Sequence, residues 1–262
     1  MPKFTTTDPF GNIITYSIYK INGKEVKRRV TSATKEQIKT DPRYHAFNMS
    51  SQEMAGANII SSAIRNPNIL EMFNNFKDTY VVSRLNAISR KMIKKGNGEP
   101  GFREANLVSH GQELINFPLN KERPLSHVFQ APVNAQANPS RTQVTINTAI
   151  SPTYLKRFTP TSTHAILTAM LATVSTHKNN KKSIKYKPTH PEYNALGVWK
   201  NSPPLDIKQK TDVTIQLNLP VSRELPPSTA IVVFLGITFG ALQEEQFAHF
   251  KTAQAMNVIK IL

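Results

Sequence analysis

The chain has 262 residues, 39% of them hydrophobic, with 18 Pro, 10 Gly and no Cys. That is enough apolar material for a core, and it excludes a disulfide framework or a thiolate metal site. Lys and Arg outnumber Asp and Glu by 33 to 17, a formal net charge of +16, which favours a polyanionic partner, either nucleic acid or an anionic surface.

The first predicted element is a hairpin. Asn12 to Ile21 is rich in Ile, Tyr and Thr, Asn22-Gly23 supplies the two φ > 0 positions of a type I′ turn, and Lys24 to Val30 returns. A two-residue loop at Asn22-Gly23 sets Tyr19 opposite Val26, Ser17 opposite Arg28 and Thr15 opposite Val30. The other face pairs Ile18 with Lys27 and Tyr16 with Arg29. Neither face is cleanly apolar, so the hairpin is expected to lie on a neighbouring subunit, to present Tyr16, Tyr19, Lys27, Arg28 and Arg29 to a polyanion, or to be a solvated edge.

Helices follow. Ser50-Ser51-Gln52-Glu53 reads as a capping box opening a helix through Ala57, Ile60 and Ile64. Asn66-Pro67 opens a second, with Ile69, Met72, Phe73 and Phe76 apolar. A third is expected over Thr79–Lys95, with Val81, Leu85, Ile88 and Met92 as its buried seam and Gly96-Asn97-Gly98 as its stop. Arg84, Lys91 and Lys95 share another face, with Arg90 and Lys94 alongside. Either this is a phosphate-facing stripe or its last turn complements the helix macrodipole.

From Gln112 onward the pattern is β. Strands are predicted at Gln112–Phe117, His127–Val133, Thr142–Ala149, Ala165–Ser175, Val213–Leu219, Thr229–Phe239, Gln246–Phe250 and Asn257–Ile261. Val213, Ile215, Leu217 and Leu219 alternate with polar residues, as a half-buried strand does. Ala230 to Leu235 is continuously apolar, as a strand covered on both faces should be. His177 to Lys187 reads as a charged loop with Ile184 and Tyr186 inside it. The expected architecture is α+β: a hairpin arm over 1–32, a helical segment over 33–111 and an antiparallel β-sandwich domain over 112–262.

The charge is unevenly placed. Residues 156–210 hold ten basic and two acidic residues, whereas 211–262 hold three and four. The candidate nucleic-acid contacts are therefore Lys27, Arg28 and Arg29 of the hairpin, Arg84, Arg90, Lys91, Lys94 and Lys95 of the third helix, and Lys178, Lys181, Lys182, Lys185 and Lys187 of the charged loop. No helix-turn-helix, zinc or RNA-recognition signature accompanies them, so sequence-independent binding is expected.

Catalytic patterns are missing. The seven histidines (45, 110, 127, 164, 177, 190 and 249) have no metal-ligand spacing, Gly96-Asn97-Gly98 lacks the Lys-Ser/Thr of a phosphate-binding loop, and there is no GxSxG elbow. Glu244-Glu245 is the one adjacent acidic pair after residue 123 and reads as a surface turn. The expectation is a non-enzyme without cofactor or metal. No window approaches about eighteen uninterrupted apolar residues, and Met1 to Thr7 lacks the apolar run of a secretory leader. A cytoplasmic protein without a membrane span, or one released on lysis, is expected.

Several stretches together resemble an uncharacterised bacterial protein family. They are Gly11–Tyr19 with its Asn-Gly turn, Thr40-Asp41-Pro42 leading into Phe47 to Met54, Val82 to Leu85, Val232 to Phe239, and Ala255 to Lys260. This chain reads Glu53-Met54-Ala55 where members have Glu-Phe-Gly, and Thr238 where they have an acid. The resemblance implies the order of parts, hairpin, helical middle and β-sandwich, and carries over no site residue. A homo-oligomeric subunit of a rod-like ribonucleoprotein particle (a rhapidosome) or phage-like tube suits those parts. An assembly without nucleic acid, or a monomeric module for an anionic surface, are the alternatives.

Overall fold

The Asn22-Gly23 turn forms as its residues require, with φ of 50° and 76°, a pair of left-handed positions that Asn and Gly adopt at least cost. It joins β2 (Ile13–Ile21) to β3 (Lys24–Arg29), and β1 (Lys3–Thr7) adds antiparallel to the far edge of β2. Tyr19 opposes Val26, Ser17 opposes Arg28, Ile18 opposes Lys27 and Tyr16 opposes Arg29, the register expected from the turn. Val30 N–H continues the ladder to Thr15 O at 2.7 Å. The computed structural model describes residues 3–30, 33, 35–156, 161–180, 185–243 and 246–262. The chain divides into two compact units, Met1–Asn48 and Met49–Leu262. The first also holds α1 (Lys35–Thr40), and none of its described residues is buried.

The first long helix, α2 (His45–Ile64), starts five residues before the expected cap. Asp41 is the reason: its Oδ1 accepts the Arg43 N–H at 2.9 Å, opening a 3₁₀ turn over Pro42–Tyr44 that runs into the helix. Ser50 is therefore internal, and Glu53 is buried rather than capping. Pro67 opens α3 (Pro67–Phe76) as predicted, with Asn66 Oδ1 accepting the Asn68 N–H. Helix α4 (Val81–Lys95) follows and ends at Gly96, where a β-carbon would lie 2.0 Å from Glu104 O. A short α5 (Leu107–His110) leads toward the strands.

The strands are β4 (Asn134–Ala137), β5 (Gln143–Ile150), β6 (His164–Ser175), β7 (His177–Asn180), β8 (Lys185–Pro188), β9 (Gly197–Asn201), β10 (Leu205–Asp206), β11 (Thr211–Asn218), β12 (Thr229–Gln243) and β13 (Gln246–Ile261). All pair antiparallel. The large sheet runs β10-β6-β12-β13 with β9 also on β6, a smaller one runs β11-β5-β4, and β7-β8 is a separate hairpin. The apolar run in β12 splits by parity. Ile231, Val233, Leu235 and Ile237 join Val144, Ile146, Val213, Ile215 and Leu217 in one cluster between the two sheets. Ala230, Val232 and Phe234 face the other way and pack with Ile60, Phe73, Leu85 and Met92 of α2, α3 and α4. Phe73 meets Phe234 edge-on, with ring centroids 6.3 Å apart. The second unit is thus three layers, helices on sheet on sheet, with a core in each interlayer. An α+β chain with antiparallel sheets in its C-terminal half is what the residues build.

Four strand expectations are corrected. Residues 112–117 are not a strand: Gly111–Leu114 is a 3₁₀ turn, Phe117 N–H bonds Leu114 O, and Asn116 sits at φ 66°. Residues 127–133 hold one isolated bridge, Phe129 to Leu155, because Leu125–His127 is a turn and Pro132 has no donor. The two terminal strands are one, β13, kept in register with β12 by two irregularities. The charged loop contains the β7-β8 hairpin. Glu244-Glu245 lies outside the described residues.

Candidate nucleic-acid interface

Hairpin β7-β8 is held down by one face. His177, wholly buried, exchanges backbone hydrogen bonds with Ala105 at 2.8 and 3.0 Å. Asn179 Nδ2 donates to Gly101 O at 2.8 Å, and opposite it Tyr186 Oη donates to Arg103 O at 2.8 Å. The Tyr186 ring fits against α2 because position 56 is glycine; a β-carbon there would lie 2.8 Å from the ring. Beneath it, Glu53 Oε1 accepts from Arg103 Nη1 (2.8 Å) and from the Gly101 N–H (3.0 Å). Burial, aided by the Glu53 charge, pushes the Tyr186 phenol up to about 12, so it stays a donor. Burial also pulls His177 below its ordinary value, which keeps the imidazole neutral.

Period-2 alternation sends the neighbouring side chains outward. Lys178 and Lys187 are directly opposed, Lys185 lies two residues along on the same face, and all three are exposed. Among the described residues no carboxylate pairs with any of them. Lys181 and Lys182, also expected here, lie outside the described residues.

Helix α4 divides its cations. Arg84 is an internal clamp: Nη2 donates to Asp78 Oδ2 (2.7 Å) and Leu119 O (3.1 Å), Nη1 to Pro118 O (2.9 Å), and the guanidinium lies over the Phe117 ring. Arg90 Nη2 donates to Ser50 Oγ, tying α4 to α2. Lys95 pairs with Glu113 at 2.5 Å, which holds that carboxyl below its usual range. Lys91 and Lys94 are exposed and form no ion pair among the described residues, and with Arg90, Ser83, Ala87 and Met54 they line a shallow hollow of about 280 Å³. Helix α2 therefore touches both basic elements, through Ser50 on one side and Gly56 on the other. Between Ser50 and Ile64 the positions it exposes, Ser51, Met54, Ala55, Asn58 and Ser62, are all uncharged.

In the first unit, Lys27, Arg28 and Arg29 are exposed along β3, with Lys27 and Arg29 on one face and Arg28 on the other. Sequence reading missed the structural cations. Arg141, at φ 56°, donates to Pro226 O, Thr229 O and Leu262 O and so fastens β12 and the chain end. No periodicity marks such a residue, since its partners are backbone carbonyls far along the chain. A second hollow, of about 520 Å³, is lined by Asn75, Thr168, Asn201, Thr238, His249 and Gln254 among others. Among the described residues its lining has no lysine, arginine or carboxylate, unlike the basic surface.

Among the described residues no three His, Asp or Glu side chains group as metal ligands, and no helix is long and apolar enough to cross a membrane. No protein-family model matches the chain, and neither does any curated protein or solved structure.

Proposed function

We propose that this protein is the structural subunit of a self-assembling particle or helical tube, and that it binds nucleic acid, RNA included, without regard to sequence. Lys178, Lys185 and Lys187 of β7-β8, with Lys91 and Lys94 of α4, make the phosphate contacts. The observation that carries this reading is the Lys178–Lys187 pair. Two like charges directly opposed across a hairpin are destabilising, and both are exposed, with no carboxylate among the described residues paired to either. A phosphate backbone supplies that counter-charge at regular spacing. Ammonium groups act on it as point charges, which gives affinity without base readout.

The self-association half draws on a different observation. The Met1–Asn48 unit has no buried described residue, yet Phe10, Ile13, Ile21 and Phe47 in it are 48 to 89% exposed. A small sheet open on both faces is marginal by itself and gains stability when neighbours cover it.

Purified particles treated with ribonuclease or DNase are the test. The expected result is absorbance near 260 nm that nuclease removes, with affinity falling steeply as salt rises. Particles free of nucleic acid that persist in high salt would instead favour an assembly held by apolar packing, the second reading, which the exposed N-terminal apolar residues support independently of charge.

A further inference from the structure

We infer that one face of the N-terminal sheet is a stacking platform for the bases of single-stranded nucleic acid. The inference rests on the nucleic-acid reading above and adds to it the strandedness of the ligand and the residues that hold its bases.

Partners in an antiparallel register share a face. Phe4 pairs with Tyr16 and Tyr16 with Arg29, Thr6 pairs with Ile14, and Ile18 with Lys27. One face of the sheet therefore carries Phe4, Tyr16, Lys27 and Arg29 together. The Phe4 and Tyr16 rings are stacked, with centroids 5.4 Å apart and planes 20° from parallel. Lys27 Nζ stands 4.9 Å from the Phe4 centroid. Phe4 is 36% exposed and Tyr16 half-buried. These rings are aligned and partly wet, with Lys27 over the Phe4 ring.

Among the described residues neither Lys27 nor Arg29 forms an ion pair with a carboxylate. Asp8 accepts from the Phe10 and Asn12 N–H groups and from Asn12 Nδ2, closing its own turn. Glu25 stands opposite Lys20 in the register, at the hairpin end of the same face. Lys27 and Arg29 are exposed, Arg29 feeling the Asp8 charge only at longer range. A second copy laid on this face would bring Lys27 and Arg29 toward their own like, which repels. A single strand fits both properties at once: its bases have π-faces for Phe4 and Tyr16, and its phosphates meet Lys27 and Arg29. A duplex hides its bases in the stack and offers only phosphate. The opposite face, with Ile13, Tyr19, Ile21 and Val26, lacks the ring pair.

The test uses the full chain and three labelled polymers of equal length and equal charge per strand: oligo(dT), its duplex with oligo(dA), and an abasic phosphodiester. Fluorescence anisotropy at one fixed salt concentration reads the affinities. Oligo(dT) is expected to bind about tenfold tighter than the abasic polymer, the worth of stacking on aromatic side chains. Phe4→Leu with Tyr16→Leu keeps apolar bulk but removes both π-faces. It should bring oligo(dT) down to the abasic level without moving the abasic affinity, while Phe4→Tyr with Tyr16→Phe keeps the preference. Circular dichroism confirms that the variants retain the wild-type strand signal. Equal binding of oligo(dT) and the abasic polymer overturns the inference while leaving the nucleic-acid reading intact. So does a Leu variant that keeps its preference, or one that alters only particle size in sedimentation. Failure of all three polymers to bind overturns the nucleic-acid reading itself.

Discussion

Both units are basic, the smaller about twice as densely for its size, but they treat apolar residues in opposite ways. Met1–Asn48 has nine Lys/Arg against four Asp/Glu and buries none of its described side chains. Met49–Leu262 has two apolar clusters, one on each side of its large sheet. Among the described residues, five of the eleven exposed large hydrophobics, Phe4, Phe10, Ile13, Ile21 and Phe47, belong to the smaller unit. The difference teaches that basic charge has two roles in one molecule. In the larger unit Arg84, Arg103 and Arg141 are consumed by carbonyls and carboxylates, and the free lysines are those that strand alternation or a helix end turns outward. In the smaller unit none of the described residues is buried, so a cation that finds a carboxylate there, as Arg43 does with Asp41, is held at the surface.

The largest expected effect probes the doubly covered strand. Phe234→Ala should cost about 3–5 kcal/mol in urea unfolding, since Phe234 is fully buried against Phe73. Gly56→Ala comes next. Its β-carbon meets the Tyr186 ring, and about 1–3 kcal/mol of overpacking should loosen β7-β8, visible as faster amide exchange at Lys178 and Lys187 with β12 unaffected. Acid should act through His177. Its folded-state pKa is depressed, so its contribution is present above its ordinary value near 6.5 and lost as pH falls through the folded value. Melting temperatures between pH 7 and pH 5 should therefore fall less steeply in His177→Asn than in the wild type.

Lys178→Glu sharpens the contrast by separating stability from binding. Replacing a like-charge pair with an opposite one should raise stability by about 0.2–1 kcal/mol and weaken nucleic-acid binding. Lower stability together with unchanged binding would break the proposed role of the hairpin. The smallest effect is expected in the smaller unit. Ile13→Ala, at 76% exposure, should change the stability of dilute, unassembled chain by no more than about 0.5 kcal/mol. A loss of several times that size would mean that Met1–Asn48 has an interior after all.

Local chemistry was legible wherever one residue's backbone preference settles a conformation. Asn22-Gly23 dictated the hairpin and, through it, every cross-strand partner from Tyr16 to Val30. Asn66-Pro67 opened its helix, and the alternation of Val213, Ile215 and Leu217 named the face that β11 buries. Ser50 and Glu53 misled because a capping box and a helix interior use the same residue types. The upstream Asp41 turn started the helix earlier, and Glu53 was claimed by Arg103. Of the candidate site, the outward Lys178, Lys185 and Lys187 could be named from sequence, but their shared face could not, since a loop has no parity until it pairs.

By itself, then, the sequence determined the charge, the absence of thiol chemistry, the hairpin register and the alternating strand, because each depends on composition or on neighbours within a few residues. Only the tertiary structure decided which cations are free. Arg84 and Lys91 lie on one helix and look alike in sequence. What separates them is the presence of Pro118 and Leu119 carbonyls beside the first, a contact between segments more than thirty residues apart that no local pattern encodes.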